Sequence, residues 1–254
     1  MNQLEKAAHF ASLHAEDDPL VLYNIWDAGG AKTLEQAGAK AIATGSWSVA
    51  AAHGFDDGEI MPLAFVLQIV ERIAETIDLP LTVDFEGGYA TDPDGVFENV
   101  RQIIRAGAVG INFEDQVMHG DSLYPVAAQF ERIKAARAAA NQENIPLFIN
   151  ARTDVFLRSD SARHASLMAQ AIERESAYAE AGADGFFIPG LTQIPLIQQM
   201  VDAASLPINV MMKGDWASLS DIQAIRVSRV SYGPGPYLAA MLDLSERYRS
   251  IRQA

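Results

Sequence analysis

The sequence predicts an α/β protein: a single (β/α)8 barrel of the TIM type, one domain over residues 1–254 with an added N-terminal helix. Three observations carry that prediction. Short apolar segments and helix-length patterns alternate eight times within 254 residues, the usual size of such a barrel. The same joint ends a helix and opens a strand at Ala37-Gly38-Ala39, Ala106-Gly107-Ala108 and Ala181-Gly182-Ala183, where glycine can take the left-handed conformation that stops a helix. Charged and small polar residues collect at the C-terminal ends of the strands, where these barrels build their active sites. A doubly wound open sheet is the competing arrangement.

In order, residues 1–19 form a polar, acidic, helix-like segment, and residues 20–26 read as the first strand, followed by a helix over 28–37. The second strand spans 41–47 and leads into a long loop, 48–59. An amphipathic helix over 60–76 places Leu63, Val66, Ile69, Val70 and Ile73 on one face. The third strand, 81–86, alternates Leu81, Val83 and Phe85 with Thr82, Asp84 and Glu86, and a helix over 94–106 stops at Gly107. Strands follow at 110–115, 146–153, 185–189, 208–212 and 229–233. Each leads into a helical pattern, at 126–140, 164–181, 194–204, 218–225 and 237–249.

Composition narrows the function. The chain is 49% hydrophobic and 20% charged, has no apolar run of membrane-spanning length and shows no signal-peptide core, so a cytoplasmic protein that engages no membrane is expected. It contains no cysteine, which removes disulfides, thiolate metal sites and cysteine nucleophiles together. A formal net charge of −14 argues against nucleic acid as a partner.

The stretch L-T-V-D-F-E-G-G-Y, residues 81–89, is the chemical centre of the chain. Carboxylates projecting from a strand end into a closed interior must be protonated, paired or bound to a cation. Mg²⁺ suits such a place, because it needs only one or two carboxylates alongside water and substrate oxygens. Gly87 and Gly88 allow a tight turn and a close approach. At the same barrel end lie Asp27, Gly45-Ser46-Trp47, Glu114 and Asp115, Arg152 and Asp154, and Lys213. Carboxylates around a cation, with an arginine to clamp an anionic substrate, make one consistent set.

Gly45-Ser46-Trp47, D-F-E-G-G-Y at Asp84 to Tyr89, F-E-D-Q at Phe113 to Gln116 and N-A-R-T-D at Asn150 to Asp154 occur in that order on these strands. In this combination the chain resembles the isocitrate lyase / phosphoenolpyruvate mutase superfamily, from about residue 20 to residue 238. The resemblance implies a barrel whose last helix is swapped between paired subunits, in a homotetrameric dimer of dimers. It also implies Mg²⁺ or Mn²⁺ as cofactor and a small anionic 2-oxo or 2-hydroxy acid as substrate, with a C–C or C–P bond broken beside an enolate that the metal stabilises. Residue by residue, it implies Asp84 as the main metal ligand, with Glu86 and Glu114 holding the ion directly or through water. Ser46 and the N–H groups around Gly45 and Trp47 would bind the substrate carboxylate together with Arg152. Asp57 would sit on a mobile gate hinged at Gly54 and Gly58.

Two departures narrow the reaction. Lyases that cut isocitrate or methylisocitrate carry K-[KR]-C-G-H after E-D-Q; here the segment is Val117 to Ser122, V-M-H-G-D-S, which argues against those two activities. The C–P enzymes resemble E-D-K at the position of Gln116 and S-N-E after the gate aspartate, where this chain has Gly58-Glu59. Decarboxylation or hydrolytic C–C cleavage of an oxaloacetate-like acid fits best. Phosphoenolpyruvate mutase or phosphonopyruvate hydrolase chemistry is the alternative, and a catalytically silent metabolite-binding relative is the alternative of another class.

Individual residues have plainer readings. Arg152 and Asp154 could form an ordinary ion pair, and Asp57 could be a solvated loop acid. His119 could replace the absent cysteine as proton donor or be a loop histidine, as could His53. Lys213 could form a Schiff base, although Lys213-Gly214-Asp215 reads as solvated. Ser231-Tyr232-Gly233-Pro234-Gly235 could cradle a phosphate, but its proline favours a tight turn.

Overall fold

The computed structural model describes residues 1–214 and 217–253. The chain opens with α1 (Gln3–Ser12), started by a reciprocal cap between Asn2 and Glu5. There follow β1 (Leu20–Leu22), α2 (Ala28–Gln36), β2 (Ile42–Ala43), α3 (Ser46–Ala52), α4 (Leu63–Thr76), β3 (Leu81–Asp84), α5 (Pro93–Arg105) and β4 (Gly110–Glu114). The second half comprises α6 (Val126–Glu143), β5 (Phe148–Arg152), α7 (His164–Glu180), β6 (Gly185–Phe187), α8 (Ile194–Ala203), β7 (Ile208–Met211), α9 (Leu219–Ala224), β8 (Arg229–Ser231) and α10 (Gly235–Gln253). Neighbouring strands pair in parallel in the order β1-β8-β7-β6-β5-β4-β3-β2, and a parallel bridge between Ile25 and Thr44 joins the two ends of that row. The result is a (β/α)8 barrel, and the open sheet is excluded.

The second unit differs from the expectation. Only Ile42 and Ala43 of residues 41–47 pair as strand, and α3 occupies much of the stretch read as strand end and loop. Trp47 and Val49 suggest a strand by local pattern. The Asp84 carboxylate, however, accepts the Ser46 N–H and rewards a helix start there. The next helix begins at Leu63 because Pro62 is extended, with φ −56° and ψ 134°.

Strand alternation separates two environments. Val83, Ile111, Phe113, Ile149, Ala151, Phe186, Val210 and Val230 pack outward against the helices in one apolar cluster. Asp84, Asn112, Asn150, Asn209, Arg229 and Ser231 take the opposite face, so the upper interior is polar. The lower end is apolar and plugged by α1. Phe10 packs edge-on against Phe148, with ring centroids 5.5 Å apart, and His14 stacks on the same ring at 3.9 Å. Gly110 admits Phe10, since a Cβ there would stand 2.8 Å from the ring. Burying Phe10 contributes about 2 kcal/mol, and the plug leaves the C-terminal mouth as the open end of the barrel. Among the described residues no helix is long and apolar enough to cross a membrane.

Candidate active site

A cavity of about 200 Å³ opens at the C-terminal mouth, lined among others by Asn24, Ser46, Asp57, Asp84, Asn112 and Arg152. Asp84 closes β3 at its floor. Its Oδ2 accepts the Ser46 N–H at 3.0 Å and the Ser46 hydroxyl at 2.8 Å, and its Oδ1 accepts from Asn112 Nδ2 at 3.3 Å. Ser46, expected to meet substrate, thus spends both donors on Asp84. Gly45 is the N-cap of α3 and gives its own N–H to Ile25, while Trp47 lines the cavity with its ring edge-on to Tyr237.

Glu86 follows in a turn that the strand pattern did not reveal. Glu86 and Tyr89 have φ of 49° and 56°, values that cost a non-glycine residue roughly 1 kcal/mol or more. The turn is held from three sides: Arg132 donates to the carbonyls of Gly87 and Ala90, Asn99 to those of Gly88 and Tyr89, and the Tyr89 N–H goes to Glu59 Oε1 at 2.7 Å. This aims the Glu86 carboxylate at the segment read as a gate. Glu86 accepts the N–H groups of Gly58 and Glu59 at 2.9 and 3.1 Å, and the Tyr89 hydroxyl at 2.9 Å. Asp57 is brought over the cavity beside Glu86. It stays exposed at the cavity rim, where desolvation and the Asp84 charge push its carboxyl up, with Arg152 opposing. Burial, then Asp57 and Asp84, push Glu86 up to about 7.

Arg152 lines the cavity and also forms the ion pair with Asp154 that the sequence offered as its plainer reading. Its Nε and Nη2 donate to Asp154 at 2.6 and 2.9 Å, and its Nη1 lies 2.7 Å from Glu114 Oε2. The guanidinium therefore clamps two buried carboxylates while lining the cavity. Glu114 is fully enclosed, and burial pushes its carboxyl well up despite Arg152. Asp115, on the other face of the strand, belongs to the helix layer, where Arg174 and Tyr178 bind it at 3.0 and 2.9 Å.

Other expected residues fall elsewhere. His119 is exposed in a left-handed turn outside the cavity lining, so the structure does not bring it to the reacting centre. His53 caps α3 and packs on Phe65. Asp27 caps α2 through the Gly30 N–H. The N–H groups of Tyr232 and Gly233 both go to Asn24 Oδ1 at 2.9 Å, which leaves that turn no pair of donors for a phosphate. Lys213 is exposed at the cavity rim, too wet for a Schiff base, and Asp215 lies outside the described residues. Asn24 and Asn112 were missed, because lone asparagines inside strand patterns carry no local signal.

Around the mouth, Asp57, Asp84, Glu86, Glu114 and Asp154 outnumber Arg152, and three of these acids are driven upward by burial and by one another. That donor set fits a divalent cation. Among the described residues no three His, Asp or Glu side chains form a cluster that would hold a metal by themselves. Glu86 serves the gate backbone and Glu114 serves Arg152. Asp84, with water and substrate oxygens, suits the direct contact, and the other two suit contact through water.

A carboxyl whose pKa is higher in the folded protein binds its proton more tightly there. Glu86 should therefore cost stability as pH rises from its ordinary value of 4.5 to about 7, by roughly 3 kcal/mol in all. In EDTA, the thermal midpoint should fall over that interval, and Glu86→Gln should flatten the fall. An equally steep fall in the variant would assign it to other groups.

A profile of the family described as phosphoenolpyruvate phosphomutase matches residues 10–252. The chain belongs to this family. A solved Burkholderia cenocepacia J2315 protein, provisionally described as a phosphonomutase, is 45% identical with a TM-score of 0.96, over 98% of this chain and 99% of that one. The 2-methylisocitrate lyase of Escherichia coli K12 is 32% identical over 205 residues, 78% of this chain and 67% of the relative. The oxaloacetate decarboxylase of Paraburkholderia xenovorans LB400 is 28% identical over 247 residues, 93% and 79% of the two chains. The phosphoenolpyruvate phosphomutase family thus brings the chain into the isocitrate lyase / phosphoenolpyruvate mutase superfamily, whose members among its homologues include carbon–carbon lyases acting on small carboxylic acids.

Proposed function

We propose that the chain is a Mg²⁺- or Mn²⁺-dependent lyase or hydrolase that breaks a C–C bond in a small 2-oxo or 2-hydroxy acid of the oxaloacetate type, passing through an enolate. The observation that carries this reading is the mouth where Asp84 and Arg152 line the cavity together with Asp57 of the gate segment, with Glu86 bound to the gate backbone and Glu114 to Arg152. Bound there, the cation supplies a Lewis acid for the oxygen that becomes negative. Ser46 and Asn112 orient Asp84, and Arg152 sets positive charge against the cluster. Lys213, at the rim, meets the distal carboxylate of a dicarboxylic substrate. When the C–C bond of oxaloacetate breaks, its electron pair becomes the enolate of pyruvate and CO₂ leaves. The enolate carbon then needs a proton, and Asp57, which retains one more readily than an ordinary aspartate, supplies it. Gly54 and Gly58, at φ of 77° and 90°, flank Asp57 as hinges of a lid that keeps water out.

C–P chemistry is the second reading, favoured by the 45% identical phosphonomutase-like relative. Engagement of Arg152 with two carboxylates weighs against it, because a transferring phosphoryl group needs cationic clamps. Assembly into a homo-oligomer through α10 is part of the proposal. Leu238, Leu242, Leu244 and Ile251 are exposed on that helix, and Val21 in β1 and Tyr23 just after it are exposed too.

The test is turnover of oxaloacetate, a 2,3-dimethylmalate-like acid, 2-methylisocitrate and phosphonopyruvate, with Mg²⁺ and with EDTA. Pyruvate from oxaloacetate that EDTA abolishes is the expected result. Consumption of phosphonopyruvate alone would establish the second reading. No turnover, with Mg²⁺-dependent thermal stabilisation by oxalate, would leave a binding protein.

A further inference from the structure

Arg229, at the start of β8, is 1% exposed and among the largest fully buried side chains. Buried guanidinium groups are normally paired with a carboxylate, because an isolated charge is costly to desolvate. Among the described residues this one has no carboxylate partner. Its Nη2 donates to Asn112 Oδ1 at 2.9 Å, while Nε and Nη1 have no hydrogen-bond partner among the described residues. β8 and β4 stand four places apart in a ring of eight, so the side chain crosses the barrel interior to reach Asn112. Gly185 keeps room in that layer, since a Cβ there would stand 2.8 Å from Asn150 Oδ1.

The Asn112 amide is the junction. Its Oδ1 accepts from Arg229 Nη2 and, at 2.8 Å, from Asn150 Nδ2, and its Nδ2 faces Asp84 Oδ1. A guanidinium can only donate, so Arg229 dictates which end of the amide is turned toward Asp84. We infer that Arg229 is a positioning residue of the active site, which acts through Asn112 to aim a donor at Asp84 and supplies the buried countercharge beneath the carboxylate cluster. The inference rests on the proposed role of Asp84 toward the cation. Burial pulls Arg229 down to about 9, against the Asp84 charge, so the side chain is still charged at neutral pH.

Charge and geometry can be separated. Arg229→Lys keeps the charge but loses the planar, longer-reaching donor. Mn²⁺ binding, followed by electron paramagnetic resonance of the free ion, should weaken about tenfold in Arg229→Lys, as for other residues that orient a metal ligand. Asn112→Ala should weaken it similarly, and the double variant should be no weaker than Asn112→Ala. Unchanged binding in Arg229→Lys, or losses that multiply in the double variant, would overturn the inference. If Arg229→Lys does not fold, Arg229→Gln is read in the same way. If the wild type itself takes up no Mn²⁺, the metal reading fails. Arg229 is then judged from a crystal structure of the Lys variant, where a retained Asn112–Asp84 contact would refute its role and a broken one would support it.

Discussion

Asp84→Ala is expected to abolish metal-dependent turnover while leaving the fold in place. Asp84 is the acceptor at which the Ser46 N–H, the Ser46 hydroxyl and the Asn112 amide converge, and it suits direct contact with a cation. Removing one preorganised electrostatic group from a reacting centre costs about 10²–10³ in rate. Losing the principal cation contact should cost at least that in kcat/KM. Stability should change far less, because two effects oppose. The donors around Asp84 lose their acceptor, at about 1–3 kcal/mol, while Asp57 and Glu86 are relieved of a neighbouring negative charge that now pushes both upward. The measurements are kcat/KM with Mg²⁺ and the thermal midpoint in EDTA. Turnover within tenfold of wild type would remove Asp84 from the cation site.

The largest loss of stability is expected from Arg152→Met. The wild-type guanidinium joins Glu114 and Asp154, both almost wholly enclosed. Without it two buried carboxylates lack their counterion, and breaking such a pair from one side costs about 3–5 kcal/mol. For a chain of this size that is a fall of roughly 10 °C in the midpoint. The loss should be greatest at high pH and partly recovered toward pH 5. Arg152 holds the Glu114 carboxyl down, so its removal drives that already raised group further toward the proton-bound form. Arg152→Lys restores the charge but not the fork to Asp154, and should lie between the two. Thermal melts at pH 5 and pH 8 decide the matter; a Met variant as stable as wild type at pH 8 would show that the clamp contributes nothing.

The site was legible in so far as strand-end chemistry is local. Alternation in residues 81–86 announces Asp84 at a strand end, though not the turn that holds Glu86, and F-E-D-Q and N-A-R-T-D bring Glu114 and Arg152 to the same end. Helix α3 was not legible, because what starts it is the Asp84 carboxylate, 38 residues away from Ser46. Nor was the fate of His119: loop residues after E-D-Q have no periodicity from which to read direction, and it lies exposed in a left-handed turn outside the cavity lining.

The alternation of strand and helix segments, the polar C-terminal strand ends and the acids and arginine that sit there were legible in the sequence, whereas α3 and the closure that excludes an open sheet were decided by the tertiary structure. Helix and strand periodicity and glycine stops are properties of short segments, and eight repeats of them favour a barrel while leaving the open sheet as a competitor. Tertiary structure alone decided the partners: Ser46 for Asp84, the gate backbone for Glu86, two carboxylates for Arg152, and Asn112 for an arginine that crosses the barrel. Alternation states which face a side chain occupies. Which groups meet across the interior depends on strand register, on the space left by residues such as Gly185, and on the cost of leaving a buried charge without a partner.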